Sequence, residues 1–554
     1  MVVTSDRNCT GLNNKDFYHL LDKTKIAIKQ KSGPIRVLSF SFALPALDPL
    51  GAIQLLEAHQ LLAHHSHFYW EWNQEGAIAA VGHTAQVEFQ GSQRFQQGRY
   101  FAEQCFHQTV GVGDVDLPLG GPHLFCSFTF FDDRPVHGPF APATLFLPRW
   151  HLARHHQQTV LVLNYLWSLD SAQHPSQDPG SNGVGTPALE SLCRSVWQTV
   201  APLQEPGASL LPLLALLDSP AHYQALTTWP SSRLRSAQTH ASPLPPLADP
   251  DRPPGGPPAP EPWVQPLASV LGRVPSPLYP LGDRQQLLRG QRHFKRAVEE
   301  SLGAIAAGKL GKVVLAHTLE VGSGQAFQVG TSLANLRRLH PDCYRFAVGN
   351  GQGQTFLGAS PERLLRIDGG QLYTEALAGS APRGGTPLED EGLGRSLLAS
   401  PKERHEHQLV AEFIVQQLQH LGLDPQCPPA PSLRQLATIQ HLLTPIAATL
   451  PPQIHPLTLV AQLHPTPAVA GVPRATASAH IRHWESFDRS LYAAPLGWMD
   501  DRGNCEFIVG IRSALLDGDR ARLFAGAGIV SGSDPDRELI EVELKFQTLL
   551  SALV

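Results

Sequence analysis

The chain has 554 residues, 42% hydrophobic and 16% charged, with a formal net charge of -5. This balance describes a globular chain able to bury a large core, as one large domain or two, and excludes a disordered one. With no long basic block and no apolar run near the roughly 18 residues of a membrane span, neither nucleic acid nor membrane is an expected partner.

Seven cysteines lie far apart without a CxxC pair, against both a zinc knuckle and a disulfide framework. The start, MVVTSDRNCTGLNNKDF, has no leader-like basic and apolar pattern, so a cytoplasmic protein is expected.

In chain order, residues 1–228 mix a helical stretch, LLEAHQLLAHH, with strand-like runs GAIAAVGHTAQVEF and TVLVLNYLW. Its histidines at 59, 64, 65 and 67 lack partner acids or cysteines at ligand spacing. Residues 229–281 are proline-rich and read as a linker or exposed loop. Residues 282–554 open with a helix, QRHFKRAVEESLGAIAAG, followed by the β-branched strand KVVLAHTLEV. Strands TFLGAS, RLLRI, EFIVGIRSALL and ARLFAGAGIV follow, with helices at KERHEHQLVAEFIVQQLQHL and RELIEVELKFQTLLSAL. The pattern predicts an α+β unit whose chemistry lies in this C-terminal part.

Two motifs mislead. Gly303 to Lys309 matches most of a phosphate-binding loop. Leu310, however, stands where Ser or Thr should be, and the order is helix, glycine, strand. His405-Glu406-His407 is not a zinc motif, because histidines two apart point to different helix faces.

The acids are more informative. In ELIEVELK, Glu538, Glu541 and Lys545 fall within about 60° of one another and Glu543 roughly opposite. In SPKERHEHQLV, Glu403 and Glu406 continue the apolar stripe of Val410, Phe413, Ile414 and Leu418, a costly place for acids unless a cation meets them. Two helices thus each offer two carboxylates three residues apart, a hard-oxygen set suited to Mg2+. Lys312 opens a strand, and a lysine that burial holds neutral can act as a general base. Glu362, after Pro361 in ASPERLL, can act as an acid if desolvation raises its pKa; a salt bridge to Arg363 or another basic residue is the alternative. LAGSAPRG and GAGIV let backbone N–H groups approach an anion. Arg512 in GIRSA is read as ending a strand and can clamp a carboxylate.

Together, KVVLA, FLGASPERLLR, TEALAGSAPRG, SPKERHEHQLV, IQHLLTPI, LHPTPAVAGVPR, ESFDRSLYAAPLGWMD, FIVGIRSALL and LFAGAGIVSGSDPDRELIEVELK resemble the chorismate-utilising enzymes, from about residue 294 to the end. The resemblance implies an α+β fold of large stacked, mixed sheets flanked by helices, as in anthranilate synthase component I. It implies Lys312 as the base activating water at C2 of chorismate and Glu362 as the acid protonating the departing C4 hydroxyl. Glu406 and Glu541 then resemble direct magnesium ligands, with Glu403 and Glu538 beside them. Ser380, His441, Arg512, Lys545 and the backbone of Gly526, Ala527 and Gly528 resemble substrate contacts. Lys312 favours water over ammonia as nucleophile. FYWEW, AAVGHTAQVEF and LFLPRWHLAR resemble the first half of isochorismate synthases of menaquinone or phylloquinone pathways. An isochorismate synthase acting as a monomer is therefore expected; a salicylate synthase, an aminating enzyme and a non-catalytic ligand-binding relative are the alternatives.

Overall fold

A computed structural model describes residues 14–72, 75–133, 138–167, 186–218, 277–437 and 439–554. Its strands form two sheets, of thirteen and nine strands. Pairing is antiparallel except between Val37–Leu44 and Thr109–Gly113. Most of the proline-rich segment lies outside the described residues. Its end forms the short strand Tyr279–Pro280 against Val321 and Gly322.

The N- and C-terminal parts share both sheets. In the larger, Tyr344–Asn350 pairs with Ser66–Trp72; in the smaller, Pro495–Asp500 pairs with His123–Phe128. These seams run through fully buried apolar residues, among them Phe68, Trp70, Phe125 and Phe346, so one core spans the two parts.

Local signals explain the helices that frame the C-terminal part. Asp283 closes a capping box with Gln286 and starts Arg284–Ala306. Ser400 caps Pro401–His420 and Asp534 caps Pro535–Leu550, each followed by proline at the first helical position, where a missing N–H costs nothing. Pro401–His420 buries Val410, Ile414 and Leu418 and packs on Gln371–Pro382.

Three expectations change. LLEAHQLLAHH is only partly helical: the helix ends at Ala58, and Gln60 breaks it at φ 59°. GAIAAVGHTAQVEF is two strands in different sheets, Gly76–Val81 and Ala85–Phe89. EFIVGIRSALL likewise divides into Cys505–Val509 of the smaller sheet and Ser513–Asp517 of the larger. Alternating apolar residues look the same whether a chain runs straight or crosses between layers.

Candidate active site

An open cleft lined by residues of both sheets lies between them, the kind of concave, polar-lined place where small molecules bind. Strands Lys312–Gly322 and Arg520–Ile529 belong to the larger sheet, Gln371–Pro382 and Ile439–Thr449 to the smaller. Helices Pro401–His420 and Pro535–Leu550 contribute the acids. Glu362, Ser380, Glu403, Glu406, His441, Arg512, Gly526, Gly528, Glu538, Glu541 and Lys545 all line it.

Lys312 and Ala527 do not. Lys312 sits behind the wall, 1% exposed, with Nζ 2.8 Å from Glu406 Oε1. It is buried as expected, but a carboxylate meets it. Ala527 lies between Gly526 and Gly528, and strand alternation turns its methyl to the opposite face.

Every acid of the cluster has a lysine. Lys545 Nζ donates to Glu541 Oε1 and to the Gly526 carbonyl, both at 2.7 Å. Lys402 Nζ lies 3.4 Å from Glu538 Oε1 and 3.7 Å from Glu403 Oε1. Burial, then repulsion from Glu406, raises the pKa of Glu403; burial, then Glu541, raises that of Glu538. Burial would also raise Glu541, but Lys545 first, together with Lys402 and Lys312, outweighs it and leaves the pKa lowered. Glu543, on the opposite helix face, accepts from Gln291 at 2.6 Å on the first helix of this half.

A bulge builds the opposite wall. Against Ile439–Thr449 the register of Gln371–Pro382 shifts between Ala378 and Ser380, and Gly379 there has φ 74°, a conformation that favours glycine. The kink turns the Ser380 amide onto Glu403 Oε2 at 3.0 Å. A Cβ on Gly379 would lie 3.1 Å from the Glu403 carbonyl oxygen, so the helix approaches because this residue has none.

Ser380 Oγ is 3.0 Å from His441 Nδ1, and Arg512 Nη2 is 3.0 Å from His441 Nε2. Burial, then the Arg512 charge, holds the His441 pKa well below its ordinary value. Arg512 does not end a strand. It occupies the crossing between sheets at φ 49°, a backbone state rare for a long side chain, and that crossing aims its guanidinium between the layers.

Glu362 lies at another crossing, between Gln354–Ser360 and Arg363–Asp368. It is 5% exposed, and its N–H donates to Ser360 Oγ at 3.2 Å. Burial first, then Glu375, raises its pKa to about 8, against a smaller opposing effect of Lys312. The salt bridge to Arg363 does not form: Arg363 Nε donates to Tyr344 Oη at 2.9 Å and lies 3.4 Å from Glu506 Oε1.

Sequence reasoning misses Lys402, Glu375 and Tyr492. Lys402 adjoins Glu403 in a first helical turn, the only signal it offers. Glu375 precedes the small-residue run of TEALAGS. Tyr492 is buried at the cleft wall, its hydroxyl 2.8 Å from where a Gly526 Cβ would stand.

A family model described as chorismate binding enzyme matches residues 22–178 and 281–554. The chain belongs to the chorismate-binding enzyme family. It is similar to the salicylate biosynthesis isochorismate synthase of Pseudomonas aeruginosa, 46% identical over 265 residues, which are 48% of this chain and 55% of that protein. It is also similar to the isochorismate synthase DhbC of Bacillus subtilis, 39% identical over 267 residues, 47% of this chain and 67% of that one. The chain thus spans little more than half the length of the Pseudomonas relative. The solved structure of the menaquinone-specific isochorismate synthase MenF from Escherichia coli matches with a TM-score of 0.63 at 23% identity, covering 97% of this chain and 99% of that one; it shows the α+β fold of stacked sheets.

For a chorismate-binding enzyme, the acids suit a hard divalent cation in chemistry: they are all carboxylates, and they repel one another in a shared cleft. Among the described residues, no three acidic, histidine or cysteine side chains converge closely enough to hold one ion together; lysines meet the negative charge instead. No helix among them is long and apolar enough to cross a membrane.

Proposed function

We propose that this protein is an isochorismate synthase that adds water at C2 of chorismate and expels water from C4. The observation that carries the reading is a buried acid, Glu362, and a buried lysine, Lys312, flanking one cleft whose walls hold both carboxylates and cations. Relatives named isochorismate synthase, 39% and 46% identical over about half of this chain, support it.

Lys312, an ammonium at rest against Glu406, first gives up a proton; its neutral amine then takes the proton of the attacking water, and Glu406 stabilises the ammonium that re-forms. Glu362, protonated at neutral pH, donates to the departing C4 hydroxyl. Arg512 and Lys545 receive the substrate carboxylates, Ser380 and His441 fix that wall, and the side-chain-free backbone of Gly526 and Gly528 admits the ring. Glu406 and Glu541 would hold Mg2+, with Glu403 and Glu538 beside them; when bound it neutralises carboxylate charge and keeps the ring in register. In this reading residues 282–554 carry the chemistry, residues 1–228 complete the sheets, residues 229–281 link them, and the enzyme acts as a cytoplasmic monomer.

The test is to incubate purified protein with chorismate and Mg2+, with and without a chelator, and separate the products by chromatography. Magnesium-dependent isochorismate in equilibrium with chorismate is expected. Salicylate with pyruvate, an aminated aromatic product on adding ammonium, or no turnover would each overturn the reading.

A further inference from the structure

Glu375 stands on Gln371–Pro382 beside the residue proposed as proton donor. It is half-buried, and its Oε1 accepts the backbone N–H of Arg363 at 3.2 Å, the residue next to Glu362. The Arg363 guanidinium is not turned to Glu375. It is committed to Tyr344 and Glu506 and lies over the Tyr344 ring, 5.8 Å from its centroid. Among the described residues no lysine, arginine or histidine forms an ion pair with Glu375. One amide thus holds a second carboxylate beside Glu362; the Arg363 charge acts on it through space, but no ion pair forms between them.

The other elements around Glu362 do not supply an equivalent charge. From Lys312–Gly322 comes Lys312, whose ammonium is engaged by Glu406 and acts in the opposite sense. From the turn before Pro495–Asp500 comes Tyr492, a buried phenol that desolvation pushes above its ordinary range and keeps neutral. From its own chain comes Arg363, whose guanidinium bonds Tyr344 and Glu506 and acts on Glu375 through space but is not among the groups that shift Glu362. Two carboxyl groups in low dielectric with no cation between them cannot both ionise cheaply, so one keeps its proton. Glu375 has the amide to stabilise an anion; Glu362 is the deeper of the two.

We propose that Glu375 is a positioning residue that keeps Glu362 protonated at neutral pH, so that the leaving hydroxyl always meets a proton donor. The inference rests on the reading of Glu362 as that donor. Atoms balance simply: one proton passes from Glu362 to the leaving oxygen, and Glu362, left as carboxylate, is reprotonated by solvent after product leaves.

The experiment is an infrared titration of the full-length protein, following the carboxylic acid band that disappears in Glu362→Gln, together with the pH profile of isochorismate formation. In Glu375→Gln, which keeps an oxygen for the Arg363 amide, both the band midpoint and the high-pH limb of the rate should move down by about one pH unit, the size of a typical like-charge effect. Glu375→Asp, which restores the charge, should move them back. An unmoved midpoint in Glu375→Gln would overturn the proposal, whether or not activity falls. The infrared midpoint needs no turnover, so a protein that makes no isochorismate yet shows the shift would refute the proposed function and leave the electrostatic pairing standing.

Discussion

Lys312 Nζ and Glu406 Oε1 are 2.8 Å apart, with Lys312 almost wholly out of water and Glu406 largely so. Removing the carboxylate strands a buried ammonium. Glu406→Ala should therefore destabilise the fold by roughly 3 kcal/mol, the usual effect of breaking a buried pair from one side. Lys312→Met should cost less, because it leaves Glu406 facing an open cleft, and the double variant should regain much of the loss. Urea unfolding midpoints of the four proteins give the coupling; strictly additive effects would show that the pair does not hold Lys312.

His441 has its tautomer set by its neighbours. Arg512 can only donate, so Nε2 of the ring must accept, and the ring proton sits on Nδ1 and is donated to Ser380 Oγ. Burial and the guanidinium charge oppose a second proton. Nitrogen NMR should find His441 neutral and Nδ1-protonated at pH 6, and an imidazolium signal there would refute the assignment. Ser380→Ala removes one acceptor but leaves the Gly379 carbonyl to take the ring N–H, so it should cost no more than about 1 kcal/mol in thermal stability.

Features legible in the sequence are those that depend on local spacing. The 100° step per residue puts Glu403, Glu406, Glu538 and Glu541 on faces that do line one cleft, and turns Glu543 away toward Gln291. The starts of the two acid-bearing helices are read to within two residues of Pro401 and Pro535, whereas the helix read from Gln291 begins at Arg284 behind the Asp283 capping box. Less legible is anything set by long-range pairing. The strand containing Pro495 joins His123–Phe128, far away in sequence, and Arg512 gains its direction from a backbone kink at a sheet crossing that no periodicity announces. In GAGIV, alternation along the strand turns only every second side chain to the cleft, so Gly526 and Gly528 line it and the Ala527 methyl does not.

Gly528 and Gly303 separate crowding from conformational freedom. A Cβ on Gly528 would collide with Glu406 Oε1 and come within 3.1 Å of Lys312 Cε, so Gly528→Ala must displace the ion pair. Isochorismate formation should fall at least about 100-fold, as expected when a reacting group moves by an ångström, with the circular dichroism spectrum retained. Gly303 lies inside Arg284–Ala306, with nothing within 4 Å of where an added methyl would stand; Gly303→Ala should raise stability by about 0.5–1 kcal/mol and leave the rate alone. Equal rates for the two variants would mean that the crowding at Gly528 has no bearing on turnover.

Glu362 links activity and stability to pH in a way whose sign can be fixed. The carboxyl titrates near 4.5 in an unfolded chain and near 8 in the fold, raised chiefly by burial. Between those values the folded protein holds a proton that the unfolded chain has lost, so stability falls as pH rises. The contribution is complete below about 4.5, declines across the interval and is gone above about 8. The rate should fall in the same direction as pH passes about 8, because the donor has then lost its proton. Glu362→Gln should abolish isochorismate formation and also flatten the decline of the thermal midpoint between these limits, since an amide does not titrate. A variant as inactive as expected, but with the parent's slope of stability against pH, would show that some other group carries the raised pKa.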